Sequence, residues 1–140
     1  MSRVEVSLAY QWAHLGHVSL VDGKLVFPKA PSLPGLYRFD FQRQVERSFY
    51  VGEADQLSRR FQHYRTPGPS QRTNIRLNAF MRGVLADGGT ASVAIVTDEI
   101  VIEMAGITGT VEMSHKSDRV LLEHAGLYEA KLSGASPLNL

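Results

Sequence analysis

The chain contains no cysteine. That excludes a disulfide framework, thiolate catalysis and thiolate-held metals. No stretch approaches the ~18 consecutive apolar residues of a membrane-spanning helix, so no membrane contact is expected. The first residues, MSRVEVSLAYQW, lack the charged-then-apolar order of a secretion signal. A reducing cytoplasm is therefore the expected location. There is no internal repeat and no low-complexity segment. With 140 residues, 44% hydrophobic and 21% charged, the chain suits an ordinary core and leaves little room for a second domain.

One further absence is local. From Gln56 to Ala86 there is no acidic residue and no lysine, yet six arginines: Arg59, Arg60, Arg65, Arg72, Arg76 and Arg82. Asp98, Glu99, Glu103 and Glu112 then restore a net charge of +1. A basic field on a near-neutral chain points to a polyanion. A solvated arginine-rich face would give the same charge. The exclusive use of arginine favours phosphate, which its planar fork matches.

What is present reads as a mixed α/β chain. VSLVDGKLVF, residues 18 to 27, alternates around Asp22-Gly23 and predicts a hairpin with a type I′ turn. PKAPSLP, 28 to 34, is a rigid linker. GLYRFDF and RSFYVG predict an antiparallel strand pair, since their connection is too short for a crossover. Residues 54 to 64 have helical periodicity on Leu57, Phe61 and Tyr64. RTPGPSQRT is a loop, and residues 74 to 86 a second helix with Ile75, Ala79 and Val84 apolar. Asp87-Gly88-Gly89 ends that helix; it opens none, so it does not match a phosphate loop. ASVAIVT is a strand, EIVIEM and TVEM could pair, and a last helix runs from a cap at Ser117 or Asp118 to about Leu132.

The first helix raises a question. Arg60 lies three residues after Leu57 and four before Tyr64, on their face, while Arg59 points away. In the last helix Glu123 sits between Val120 and Leu127, among Leu121 and Tyr128, so a carboxylate also faces inward. Arg60 and Glu123 could form a buried salt bridge. They could equally be two ends of a site, one holding phosphate and the other a hard divalent ion through oxygen.

Gly35-Leu36-Tyr37 followed by Tyr50-Val51-Gly52 resembles the paired tripeptide signature of the GIY-YIG nucleases. Arg60 follows the second glycine by eight residues and Tyr64 follows Arg60 by four. Glu123 ends the apolar run Leu121-Leu122-Glu123, and Asn139 closes Ser136-Pro137-Leu138-Asn139. The resemblance covers about residues 35 to 140. It implies a small, mostly antiparallel three-stranded sheet flanked by helices, with residues 1 to 34 as a hairpin-bearing extension that packs on the domain or reads DNA. It also implies hydrolysis of a DNA phosphodiester with one Mg²⁺, for which Mn²⁺ could substitute. Glu123 would hold the metal and Arg60 would offset charge on the scissile phosphate. Tyr37 and Tyr50 would line the site and orient the attacking water, with Tyr37 a candidate general base. Tyr64 would hydrogen-bond phosphate or nucleophile, and Asn139 would fix the geometry near the C-terminus.

Arg59, His63, Arg65, Arg72, Asn74 and Arg76 are the candidate DNA contacts, being polar groups around the same two helices. For the stretch around Arg72, a capped and solvated helix start fits as well. His14 and His17 lack a third ligand, Tyr10 and Trp12 suit packing, and His115 and His124 carry no role. Specificity is expected from residues 1 to 34, from the loop at 65 to 73, from a homodimer or from a partner protein. The rival readings are a non-catalytic nucleic-acid-binding domain on the same fold and a nuclease for RNA.

Overall fold

The computed structural model describes residues 1 to 139. Its elements in chain order are β1 (Val6–Ala9), β2 (Ala13–His17), β3 (Ser19–Val21), β4 (Lys24–Val26), β5 (Gly35–Arg43), β6 (Glu46–Ala54), α1 (Leu57–Arg65), α2 (Arg72–Ala86), β7 (Thr90–Val96), β8 (Val101–Met104), β9 (Ile107–Thr110), α3 (Lys116–Leu132) and β10 (Ser136–Pro137). No helix is long and apolar enough to cross a membrane.

The expected three-stranded antiparallel sheet is the centre, β6-β5-β7, and each edge gains a strand. β2 joins β7 antiparallel, and the two-residue β10 joins β6 in parallel. Residues 1 to 34 are thus woven into the sheet through β2, while β1 pairs β8 in a second sheet, β1-β8-β9. The hairpin β3–β4 forms around Asp22 and Gly23, both at positive φ (51° and 76°), as the type I′ turn requires. Ala105 and Gly106 repeat that geometry (53° and 79°) between β8 and β9. This turn fixes the partner of Val101–Met104 as Ile107–Thr110 and not the expected TVEM segment.

Helices cover both faces of the sheet. Tyr37, Phe39 and Phe41 of β5 point to one side, where Leu57, Phe61 and Tyr64 of α1 and Leu77 and Met81 of α2 meet them. Leu36, Phe49 and Val51 point to the other, against Leu122 and Ala130 of α3. The hairpin joins the first layer by burying Leu25. The strand period of two sorts the side chains between the layers.

One helix start and two stripes differ from expectation. α1 begins at Leu57, because Ala54 still belongs to β6. In α2 the buried residues are Leu77, Met81 and Val84, and Ile75 is exposed. In α3 they are Arg119, Leu122, Gly126 and Ala130, whereas Leu121 and Tyr128 are exposed. The physical reason in α3 is close approach. A Cβ on Gly126 would lie 3.3 Å from both Trp12 and Val51, so a small residue sets the spacing from helix to sheet.

The two signature glycines have the same explanation. A Cβ on Gly35 would come within 2.8 Å of Leu57 Cδ1 and of the Val96 carbonyl. A Cβ on Gly52 would occupy the space of the Tyr37 hydroxyl and ring. Gly52→Ala is therefore expected to expel Tyr37 from its slot and cost ~1–3 kcal/mol, the usual range for overpacking, measured as a lower urea midpoint.

Candidate functional site

Three phenols and one guanidinium converge beside the central strands. Tyr37 of β5 and Tyr50 of β6 stand on the face that α1 covers, with ring centroids 6.3 Å apart. Tyr64, from the last turn of α1, completes the group, and its hydroxyl lies 2.6 Å from that of Tyr37. Arg60, one turn earlier, donates from Nη1 to the Tyr37 hydroxyl at a long 3.4 Å. Arg60 is half-buried and Arg59 exposed, as the helical spacing predicts.

Tyr37 and Tyr64 are fully buried; Tyr50 keeps part of its surface in solvent. Burial pushes the Tyr37 phenol far up, the neighbouring Tyr50 adds to the rise, and Arg60 pulls it back only in part. Burial likewise raises Tyr64 well above its ordinary value. Both phenols therefore stay protonated at neutral pH. Tyr37 meets Arg60 as a neutral hydrogen-bonding group and is itself bonded to Tyr64, while Tyr50 and Arg60 keep part of their surface in solvent.

Glu123 approaches from α3. Its carboxyl is raised, first by partial burial and then by the neighbouring Glu53 carboxylate. The Glu53 backbone N–H, His124 and Arg60 act in the opposite direction. Arg60 is thus near enough to attract Glu123, yet the salt bridge between them, one of the two sequence alternatives, does not form among the described residues.

The buried ion pair is a different one. Arg119 Nε meets Glu53 Oε2 at 2.7 Å, with side chains 6% and 14% exposed, and Arg119 Nη1 donates to the Met113 carbonyl at 2.9 Å. Sequence reasoning missed both residues. The signals were there: Glu53 directly follows Gly52 on the face turned to α3, and Arg119 precedes Glu123 by four residues on the same helix.

Asn139 is tied to the middle of the second tripeptide. It accepts from the Val51 N–H at 3.1 Å and donates to the Val51 carbonyl at 2.6 Å. Just before it, Leu138 N–H donates to the Phe49 carbonyl at 2.8 Å. Arg76, a candidate DNA contact, donates to the Leu138 carbonyl at 2.9 Å and so clamps this tail. Asn74 donates to Gln71 at 3.1 Å. Arg59, Arg65 and Arg72 are exposed, and His63 is half-buried on α1.

The donor set suits one hard cation. No group of three or more His, Asp or Glu that could hold a metal exists among the described residues. Glu53 is spent on Arg119, which leaves Glu123 as the available carboxylate. An ion that keeps several waters and takes one or two carboxylates fits it. A cation there would also relieve the repulsion between Glu123 and Glu53.

No protein-family model matches the sequence. No curated protein matches it either. Among solved structures, a point mutant of bacteriophage T4 EndoII is similar, with a TM-score of 0.59 and 14% identity over 94% of this chain and 93% of that one. At that identity the likeness shows a shared fold: the chain has the mixed α+β architecture of EndoII.

Two stability outcomes are expected. Arg119→Met should cost ~3–5 kcal/mol in denaturant titration, because it strands a buried carboxylate, and Glu53→Leu/Arg119→Met should recover most of that loss. Glu123→Gln should raise the melting temperature of metal-free protein at neutral pH. A carboxyl raised on folding favours the fold fully below its unfolded value of 4.5, and that contribution fades as pH rises through the folded one. The advantage of glutamine should therefore vanish when melting is followed below pH 4.5.

Proposed function

We propose that the protein is a metal-dependent DNA endonuclease of the GIY-YIG type. The observation that carries this reading is Arg60. It sits next to the signature tripeptides, supported by two neutral buried phenols and unpaired with any carboxylate among the described residues. Such a guanidinium keeps its charge for an anionic ligand. The EndoII-like fold supports the same reading, since that protein's name marks an endonuclease.

Each residue then has a task. Arg60 binds the scissile phosphate and meets the charge that builds on it during displacement. Tyr50, the phenol that reaches solvent, orients the attacking water. Tyr37 and Tyr64 fix Arg60 and stay protonated, so Tyr37 serves as a positioning group and not as the general base. Glu123 holds Mg²⁺, or Mn²⁺ in its place. When bound, that ion supplies positive charge to a phosphate oxygen and lowers the pKa of a bound water. Asn139 keeps the C-terminal tail against Val51 and so closes the side of the site. The second strand of a duplex would be cut by a second copy or in a second event.

The test is a supercoiled plasmid assay in Mg²⁺, Mn²⁺ and EDTA. The expected result is metal-dependent nicking, abolished in Glu123→Ala and slowed ~10²–10³-fold in Arg60→Ala, the usual effect of removing one charge-stabilising donor. Salt-sensitive binding without cleavage in any metal would replace this reading with the binding-domain one. Cleavage confined to an RNA substrate would change the substrate class.

A further inference from the structure

A second basic feature is built without the four clustered site side chains. The hairpin β3–β4, the residues after α1 and the exposed side of α2 enclose a cleft of about 670 Å³. Its polar lining consists of Lys24 from the hairpin, Arg65 and Thr66 at the end of α1, and Asn78 and Arg82 from α2. No carboxylate lines it, and Asp22 in the hairpin turn is not among its walls. None of the three cations forms a salt bridge among the described residues.

The cations are also not consumed by the fold. A helix C-terminus attracts positive charge to its free carbonyls. Here Asn78 already serves those carbonyls, donating to Tyr64 at 2.7 Å and to Arg65 at 3.3 Å. Its remaining oxygen accepts from Arg82 Nε at 2.9 Å. That bond fixes the guanidinium and leaves its two terminal nitrogens free. Leu25, buried in the core, anchors the hairpin that carries Lys24. The cleft is thus built from rigid parts with its positive groups ready.

Its location adds direction. Arg65 lies five residues beyond Arg60 on α1, ~8 Å along the helix axis. Arg65 is also turned ~140° around the helix from Arg60, so a strand with one phosphate at Arg60 would pass around α1 to bring a neighbouring phosphate to the cleft.

We propose that this cleft binds the phosphodiester backbone of a DNA strand flanking the cleaved bond, with Lys24, Arg65 and Arg82 as phosphate contacts. The hairpin in residues 1 to 34 is then part of the substrate-binding surface. The direction of the strand rests on the nuclease reading; the binding itself does not.

Binding of the full chain to a fluorescent 20-base-pair DNA duplex, read by anisotropy in EDTA, tests it without cleavage. For Lys24→Ala/Arg82→Ala the expected result is affinity lower by on the order of tenfold or more, and a plot of log affinity against log salt flatter by about 2. Melting temperature serves as the folding control, and Lys24→Arg should retain wild-type affinity. In the cleavage assay the double variant should show a raised KM. Unchanged affinity and salt slope would overturn the proposal. So would a loss seen with an RNA oligonucleotide and not with DNA. A protein that binds as expected but never cuts would refute the nuclease reading and leave the cleft standing.

Discussion

The outer edge of β6 has N–H and C=O groups that must find partners, since an orphaned backbone group costs as much as a lost hydrogen bond. Neighbouring β10 is only two residues long and pairs at Ser48 and Phe49. Beyond it the edge is finished piecemeal. Leu138 takes the Phe49 carbonyl, the Asn139 side chain takes both groups of Val51, and Glu123 stands beside the N–H of Glu53. The ladder that completes the sheet is therefore the device that carries Asn139 to the signature tripeptide, while α3 brings Glu123 to the same edge. Structure and candidate chemistry share the same hydrogen bonds, so a change in one alters the other.

Electrostatics around that edge show a cost of the same kind. Two carboxylates, Glu53 and Glu123, are brought near each other in a partly dry setting. One is compensated by Arg119, itself buried. A buried pair adds little net stability, because desolvation offsets most of the attraction. What it does here is hold α3 at a fixed height on β6 while leaving Glu123 without a salt bridge among the described residues. A half-buried carboxylate whose pKa is raised on folding disfavours the fold at neutral pH and suits a cation. On the proposed reading, stability is given up at the position where the cation binds.

Much of this was legible in the sequence, residue by residue. The Asp22-Gly23 turn, the β5–β6 pair and the inward placement of Arg60 follow from local rules, because turn chemistry and helical spacing act over a few residues. The stripe of α3 was not legible from apolar periodicity. Arg119 and Gly126 define its buried face, one through a partner 66 positions away and the other through the absence of a side chain. The Arg60–Glu123 salt bridge, one of the two alternatives the spacing allows, does not form for the same reason: the groups that these side chains meet, Tyr37 and Glu53, belong to strands. The addition of β2 to the sheet is likewise a long-range event that five residues, three of them exposed and two half-buried, do not announce.

On the proposed reading, the support given to Arg60 accounts for Tyr37. A carboxylate partner would position a guanidinium equally well, but it would neutralise the charge that a phosphate needs to meet. A phenolate would do the same. A neutral phenol fixes direction and leaves the charge intact. Deep burial serves this end, since it keeps Tyr37 and Tyr64 protonated in spite of the adjacent cation. Their 2.6 Å hydrogen bond shows how the pair is satisfied away from water. Gly52 then has its reason, because only a glycine leaves room for the Tyr37 hydroxyl at that depth. The tripeptides thus work as one unit: a glycine admits a tyrosine, the tyrosine holds an arginine, and the arginine stays free to bind.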